Sequence, residues 1–127
     1  MERLLLVCLG GALGSGARYL ASQAALSLLG SSFPYGTLTV NVIGSFLIGL
    51  IQHVGLNSTL LSPTLRILLT TGVMGGFTTY STFNHETLQL VAEGDWHLGI
   101  LNITATVMAC LVAGALGVAS GQALVGS

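Results

Sequence analysis

Charge is what this sequence has least of. Only 6% of its 127 residues are Asp, Glu, Lys or Arg, and lysine is absent altogether. A soluble domain carries about a quarter charged residues, so a water-solvated globule is excluded. Three arginines and a net charge of −1 leave no basic face, and no nucleic-acid partner is expected. The two cysteines, Cys8 and Cys110, form neither a disulfide framework nor a metal-ligand spacing. Both fall in apolar runs, where a small thiol packs well. The first apolar run holds no acid beyond Glu2 at its start. That removes the embedded carboxylate with which a four-helix dual-topology multidrug or cation antiporter would couple protons to its substrate. No nucleophile, base and oxyanion group recur at a plausible spacing, so an enzyme is not expected.

What is present is hydrophobicity: 52% of residues are apolar and the mean hydropathy is +0.87. A membrane-crossing helix needs about 20 predominantly apolar residues. Four segments qualify: Leu4 to Leu29, Thr37 to Val54, Leu65 to Val91 and Leu98 to Leu124. The chain therefore reads as an all-α integral membrane protein with four transmembrane helices in a single domain, residues 1–127. Ser31 to Gly36 forms a turn, Gly55 to Thr64 a polar loop holding Pro63, and Glu93 to His97 a short link with an interfacial Trp96. The competing reading of the N-terminus is a cleaved signal peptide, with Arg3 before the apolar run and Ala21-Ser22-Gln23-Ala24 as a cleavage region. Arg18 and the resumed apolar pattern argue against it.

With four spans both termini share a side with the loop of Arg66, so Arg3 and Arg66 stand against Arg18. Orientation follows an excess of basic residues on cytoplasmic loops, and there is almost none here. Insertion both ways is expected. Four helices in 13.0 kDa are too few to enclose a water-filled path easily, so the natural unit is a dimer, antiparallel if the two copies insert oppositely. Small residues at helical spacing, Gly10, Gly11, Gly14, Gly16 and Ala17, then Gly44 and Gly49, then Gly114, Gly117 and Gly121, predict close helix packing in lipid.

The third span carries the most informative segment, Gly72-Val73-Met74-Gly75-Gly76-Phe77-Thr78-Thr79-Tyr80-Ser81-Thr82-Phe83. Glycines weaken a helix, and in hydrocarbon every freed backbone group must find a partner in protein, water or an ion. A helix break in this segment is expected, with a permeation path or ion site beside it. Thr37, Asn41 and Ser45 line one face of span two, and Asn102, Thr106 and Cys110 repeat that spacing in span four. Interhelical hydrogen bonding would explain either stripe alone; together with a broken span they indicate a polar pathway. Asn102-Ile103-Thr104 matches a glycosylation tripeptide but lies inside a span. His53, His85 and His97 sit near span ends without ligand spacing. A small structural or lysis protein would share the hydrophobicity but has no use for Asn41 and an interrupted span.

Three segments together resemble the Fluc-type fluoride channels, the CrcB family: Gly36-Thr37-Leu38-Thr39-Val40-Asn41, the glycine-spaced run from Gly10 to Arg18, and Gly75-Gly76-Phe77-Thr78-Thr79-Tyr80-Ser81-Thr82-Phe83. The third is specific, and the resemblance extends over essentially the whole chain. It implies passive fluoride export across a microbial inner membrane by an antiparallel dual-topology homodimer with two pores and a central structural sodium ion. Gly75 and Thr78 match the residues whose backbone carbonyls hold that sodium from both subunits. Asn41 matches the pore asparagine, Tyr80 and Phe83 the pore aromatics, and Ser81 and Thr82 the hydroxyls beside them. Arg18 matches the arginine of the vestibule, where a positive charge would concentrate anions. Thr37 and Thr106 complete the expected pore lining. Glu86, three residues past Phe83, puts an acid at the vestibule end, open between a gate or water-binding role and a plain interfacial carboxylate. Two features depart from the family: Tyr80 replaces the usual phenylalanine, and the hydroxyl track of span four is matched only by Thr106 and Cys110, Gly114 having no side chain.

Overall fold

The computed structural model describes residues 1–126. Its elements are α1 (Glu2–Leu29), α2 (Tyr35–Asn57), α3 (Pro63–Ile67), a π-helical segment (Leu68–Met74), α4 (Gly75–Phe77), α5 (Ser81–Ala92) and α6 (Trp96–Val125). The helix ends follow local chemistry. Gly30, at φ 84°, terminates α1 in a conformation open to glycine. Pro63 opens α3 behind Ser62, whose hydroxyl accepts the Leu65 N–H at 3.1 Å.

Three helices, α1, α2 and α6, are each long and apolar enough to cross a membrane. The segments from α3 to α5 make the remaining pass in pieces. Gly10 lies against Leu68 and Gly72, and Gly14 against Val73 and Phe77, so α1 and this pass run in the same direction. Gly114 lies against Ser45, Gly117 against Phe46 and Leu50, and Gly121 against His53, so α2 and α6 also run parallel to each other. The bundle alternates direction from one pass to the next, in the layout expected of a multi-pass membrane protein.

Packing is inverted relative to a soluble domain. The interior is built from small and hydroxylated residues: Gly10, Gly14, Gly44, Gly99, Gly117 and Gly121 are buried with Ala25, Ala113, Thr70 and Thr87. Leu4, Leu9, Leu13, Leu20, Leu111 and Leu116 point outward and are exposed. Lipid solvates leucine as well as a core does, so association rests on close backbone approach. A Cβ on Gly117 would stand 2.0 Å from the Phe46 carbonyl oxygen, which leaves no room for any side chain between α2 and α6.

Candidate functional site

The third pass breaks within the expected segment, past its glycines. Gly72, Gly75 and Gly76 all stay in helical turns. The missing side chains of Gly72 and Gly76 serve contact with α1 instead: a Cβ on Gly76 would meet the Gly11 carbonyl at 2.4 Å, and one on Gly72 would meet Gly10 Cα at 3.2 Å. The ladder widens where the Thr70 hydroxyl donates to the Arg66 carbonyl at 2.8 Å, and the Gly75 N–H reaches the Thr70 carbonyl five residues back. The last regular bond is Thr78 N–H to Met74 O at 3.0 Å. Thr78 then turns extended, at φ −88° and ψ 160°.

Side chains from two other helices hold this break. The Asn41 amide of α2 clamps the Thr79 peptide on both sides: Oδ1 accepts the Thr79 N–H at 2.9 Å and Nδ2 donates to the Thr79 carbonyl at 3.0 Å. Arg18 of α1 donates from Nε to the Gly76 carbonyl at 2.9 Å. These bonds replace ones a continuous helix would have made itself, since freed backbone groups at membrane depth must be partnered. Thr79 also accepts the Thr82 N–H on its own hydroxyl oxygen at 3.3 Å and donates its hydroxyl to Thr82 Oγ1 at 3.0 Å, starting α5. The Thr82 hydroxyl hydrogen is thereby left free to donate elsewhere. Among the described residues no hydrogen bond takes the carbonyls of Gly75, Phe77 or Thr78.

Two cavities adjoin the break. The larger, about 530 Å³, has Asn41, Ser45, Thr78, Tyr80, Phe83 and Thr106 in its wall, and Gly75 and Cys110 border it. Apart from the phenol of Tyr80 and the thiol of Cys110, no ionisable side chain lines it. The rings of Tyr80 and Phe83 lie 5.7 Å apart, tilted at 55°, a favoured aromatic pairing. The cavity opens on the outer surface of the chain, where Tyr80 is 77% exposed. The smaller cavity, about 310 Å³, lies toward the turn between α1 and α2, with Ser22, Thr37, Thr82 and Glu86 in its wall. Glu86 Oε1 is buried there without a hydrogen-bond partner among the described residues.

The expected pore residues are thus divided. Asn41, Tyr80, Phe83 and Thr106 share the larger cavity; Thr37, Thr82 and Glu86 share the smaller. Thr37 sits one helical turn from Asn41, and Thr82 directly precedes Phe83, so the two cavities border neighbouring turns of α2 and α5. Ser81 borders neither cavity and is exposed, because consecutive helical residues point about 100° apart. Arg18 also lines neither; its guanidinium reaches the broken pass. Asn102, singled out only as part of a stripe, turns out to be the most buried polar side chain described, 2% exposed.

A multi-pass bundle interrupted within one pass, with the Asn41 amide and threonine hydroxyls gathered at the interruption, defines a polytopic membrane protein with a polar break. The chain belongs to the CrcB family: the profile described as "CrcB-like protein, Camphor Resistance (CrcB)" matches residues 5–118. It is 52% identical over 125 residues to the fluoride-specific ion channel FluC of Sorangium cellulosum (strain So ce56), covering 98% of each chain. It is 59% identical over 113 residues to the protein of that name from Anaeromyxobacter sp. (strain K), covering 89% of this chain and 90% of the relative. The Geobacter sulfurreducens protein of the same name is 49% identical over 112 residues, or 88% and 90% of the two chains.

Proposed function

We propose that this chain is a fluoride-selective ion channel that exports fluoride passively from the cytoplasm across the inner membrane. The observation that carries the reading is near full-length identity to proteins named fluoride-specific ion channels. The site supplies the physical reason. Fluoride is small and strongly hydrated, so a path must return hydrogen bonds for the water it strips. The Thr82 hydroxyl, the remaining Nδ2 hydrogen of Asn41 and the edges of Tyr80 and Phe83 supply them without a fixed cation that would trap the ion. The path runs from the cavity of Thr37, Thr82 and Glu86, past Asn41 and Phe83, into the larger cavity.

An uncoupled channel is electrogenic. Liposomes loaded with potassium fluoride and containing only this protein release fluoride when valinomycin supplies a counter-current of potassium, and hold it without the ionophore. A fluoride electrode reads both arms, and equally fast release without valinomycin would replace the channel with a proton-coupled transporter.

The functional unit we infer is an antiparallel homodimer. The larger cavity faces outward with Tyr80 exposed and the Thr78 and Thr79 backbone beside it, and hydrocarbon is a poor solvent for such groups. A second copy covers them, and the near balance of Arg3 and Arg66 against Arg18 favours opposite insertion. Gly75 and Thr78, whose carbonyls take no hydrogen bond among the described residues, border the cavity on this same face. As hard oxygen dipoles from two copies they fit a structural sodium ion, whose charge would hold the paired breaks together. A lysine cluster added at the C-terminus forces one orientation. Flux is then lost, and returns when an oppositely biased copy is co-expressed; full flux from one biased copy alone would refute the antiparallel unit.

A further inference from the structure

Asn102 lines neither cavity, yet it touches groups that lead to the wall of the larger one. Its Nδ2 donates to Thr87 Oγ1 at 2.9 Å, and its Oδ1 accepts the Thr106 hydroxyl at 3.4 Å. Thr87 in turn donates its hydroxyl to the Phe83 carbonyl at 2.8 Å. The direction of every hydrogen in this chain follows from one end. Because the Thr87 hydrogen lies on the Phe83 carbonyl, Thr87 Oγ1 must accept, so the amide nitrogen of Asn102 faces it and the amide oxygen faces Thr106. All four residues are buried, between 2% and 8% exposed. Phe83 and Thr106 are wall residues of the larger cavity, contributed by α5 and α6 respectively. Asn102 is therefore the polar bolt that fixes the aromatic wall relative to the hydroxyl wall.

We propose that Asn102 is a positioning residue for fluoride conduction, setting Phe83 through Thr87 and Thr106 directly. The inference rests on the reading of the larger cavity as part of the ion path. At rest the Thr106 hydrogen is parked on Asn102. That bond is long, so an anion in the cavity competes with Asn102 Oδ1 for the hydrogen while the Asn102 side chain stays held by Thr87. A fully satisfied buried network of this kind specifies one arrangement of its members, whereas a partly broken one leaves several.

Single-channel recording of the full-length dimer separates positioning from scaffolding. Scaffolding alone would change how many channels are active and leave the current through each one alone. Asn102→Leu and Thr87→Val are expected to lower unitary fluoride conductance about tenfold, the scale of one buried hydrogen bond lost. The double variant falls no further than the worse single one, since both break the same link. Thr87→Ser keeps the hydroxyl and returns conductance to within about twofold of the parent. Should Asn102→Leu fail to assemble, the Thr87 pair decides alone: a low valine variant with a near-normal serine variant supports the proposal, and normal conductance in both overturns it. Phe83→Ile and Thr106→Val test the underlying reading in the same recordings. If they lower conductance while Asn102→Leu and Thr87→Val do not, the positioning role is wrong and the path stands. If all four leave unitary conductance unchanged, the ion runs elsewhere and both ideas fall.

Discussion

Asn41→Asp abolishes fluoride flux, with a loss on the order of a thousandfold. A carboxylate beside the path repels a passing anion by about 4 kcal/mol at 4 Å and an effective dielectric constant of 20, and each 1.4 kcal/mol is a factor of ten. The structure adds a second injury. The Asn41 Nδ2 donates to the Thr79 carbonyl, and aspartate would set an oxygen against that oxygen. The Thr79 N–H would keep its acceptor, so the clamp is half lost and the break loosens on one side. Liposome efflux with an electrode readout checks this on protein that still runs as a dimer. Near-normal flux from dimeric Asn41→Asp would mean that Asn41 only joins α2 to the broken pass.

The second large effect is on assembly. Gly14→Ala puts a methyl carbon 2.0 Å from the Val73 carbonyl oxygen and 2.9 Å from the Phe77 nitrogen, both backbone atoms that no rotamer change can move aside. Overpacking a tight interior costs about 1–3 kcal/mol when side chains can yield, and here they cannot. α1 must lift away from the π-helical segment, and Arg18, one turn further on, leaves the Gly76 carbonyl with it. Gly14→Ala is expected to lose most folded dimer in detergent. Gly16→Ala is the matched control: nothing lies within 4 Å of its Cβ position, and alanine favours a helix over glycine by about 1 kcal/mol. Comparison of the dimer peak by size exclusion and of Tm decides it, and equal behaviour of the two variants would show that the α1 contact is not tight.

The three continuous helices were legible because a run of apolar residues long enough to cross a bilayer has few other fates. Observed α1, α2 and α6 extend the expected spans by a few residues at their ends, where polar termini such as Asn57 and Trp96 still satisfy helical geometry. The third pass was legible as broken within Gly72 to Phe83, and its glycines did not say where in that segment. Glycine serves two purposes in a membrane, release of the helix and close approach of a neighbour, and which one operates depends on what faces it. Gly72 and Gly76 face the glycines of α1, so they stay helical, while the break falls at Thr78 to Tyr80, where Asn41, 38 residues away, offers a donor and an acceptor at once. Local sequence carries no sign of that offer. The same holds for Thr37 and Asn41, which share a helix face by spacing yet border different cavities. Asn102 was visible only as a member of a stripe; its partner Thr87 has no distinguishing mark in the chain.

Both clamps on the break come from residues that precede it, Arg18 and Asn41. During synthesis the first two helices leave the ribosome before the segment from Gly72 to Phe83 does. The groups that replace its missing backbone bonds are then already waiting when it reaches the bilayer. The order of the passes along the chain therefore matters for biogenesis: the interrupted segment never has to face lipid with its ladder open and no partner at hand.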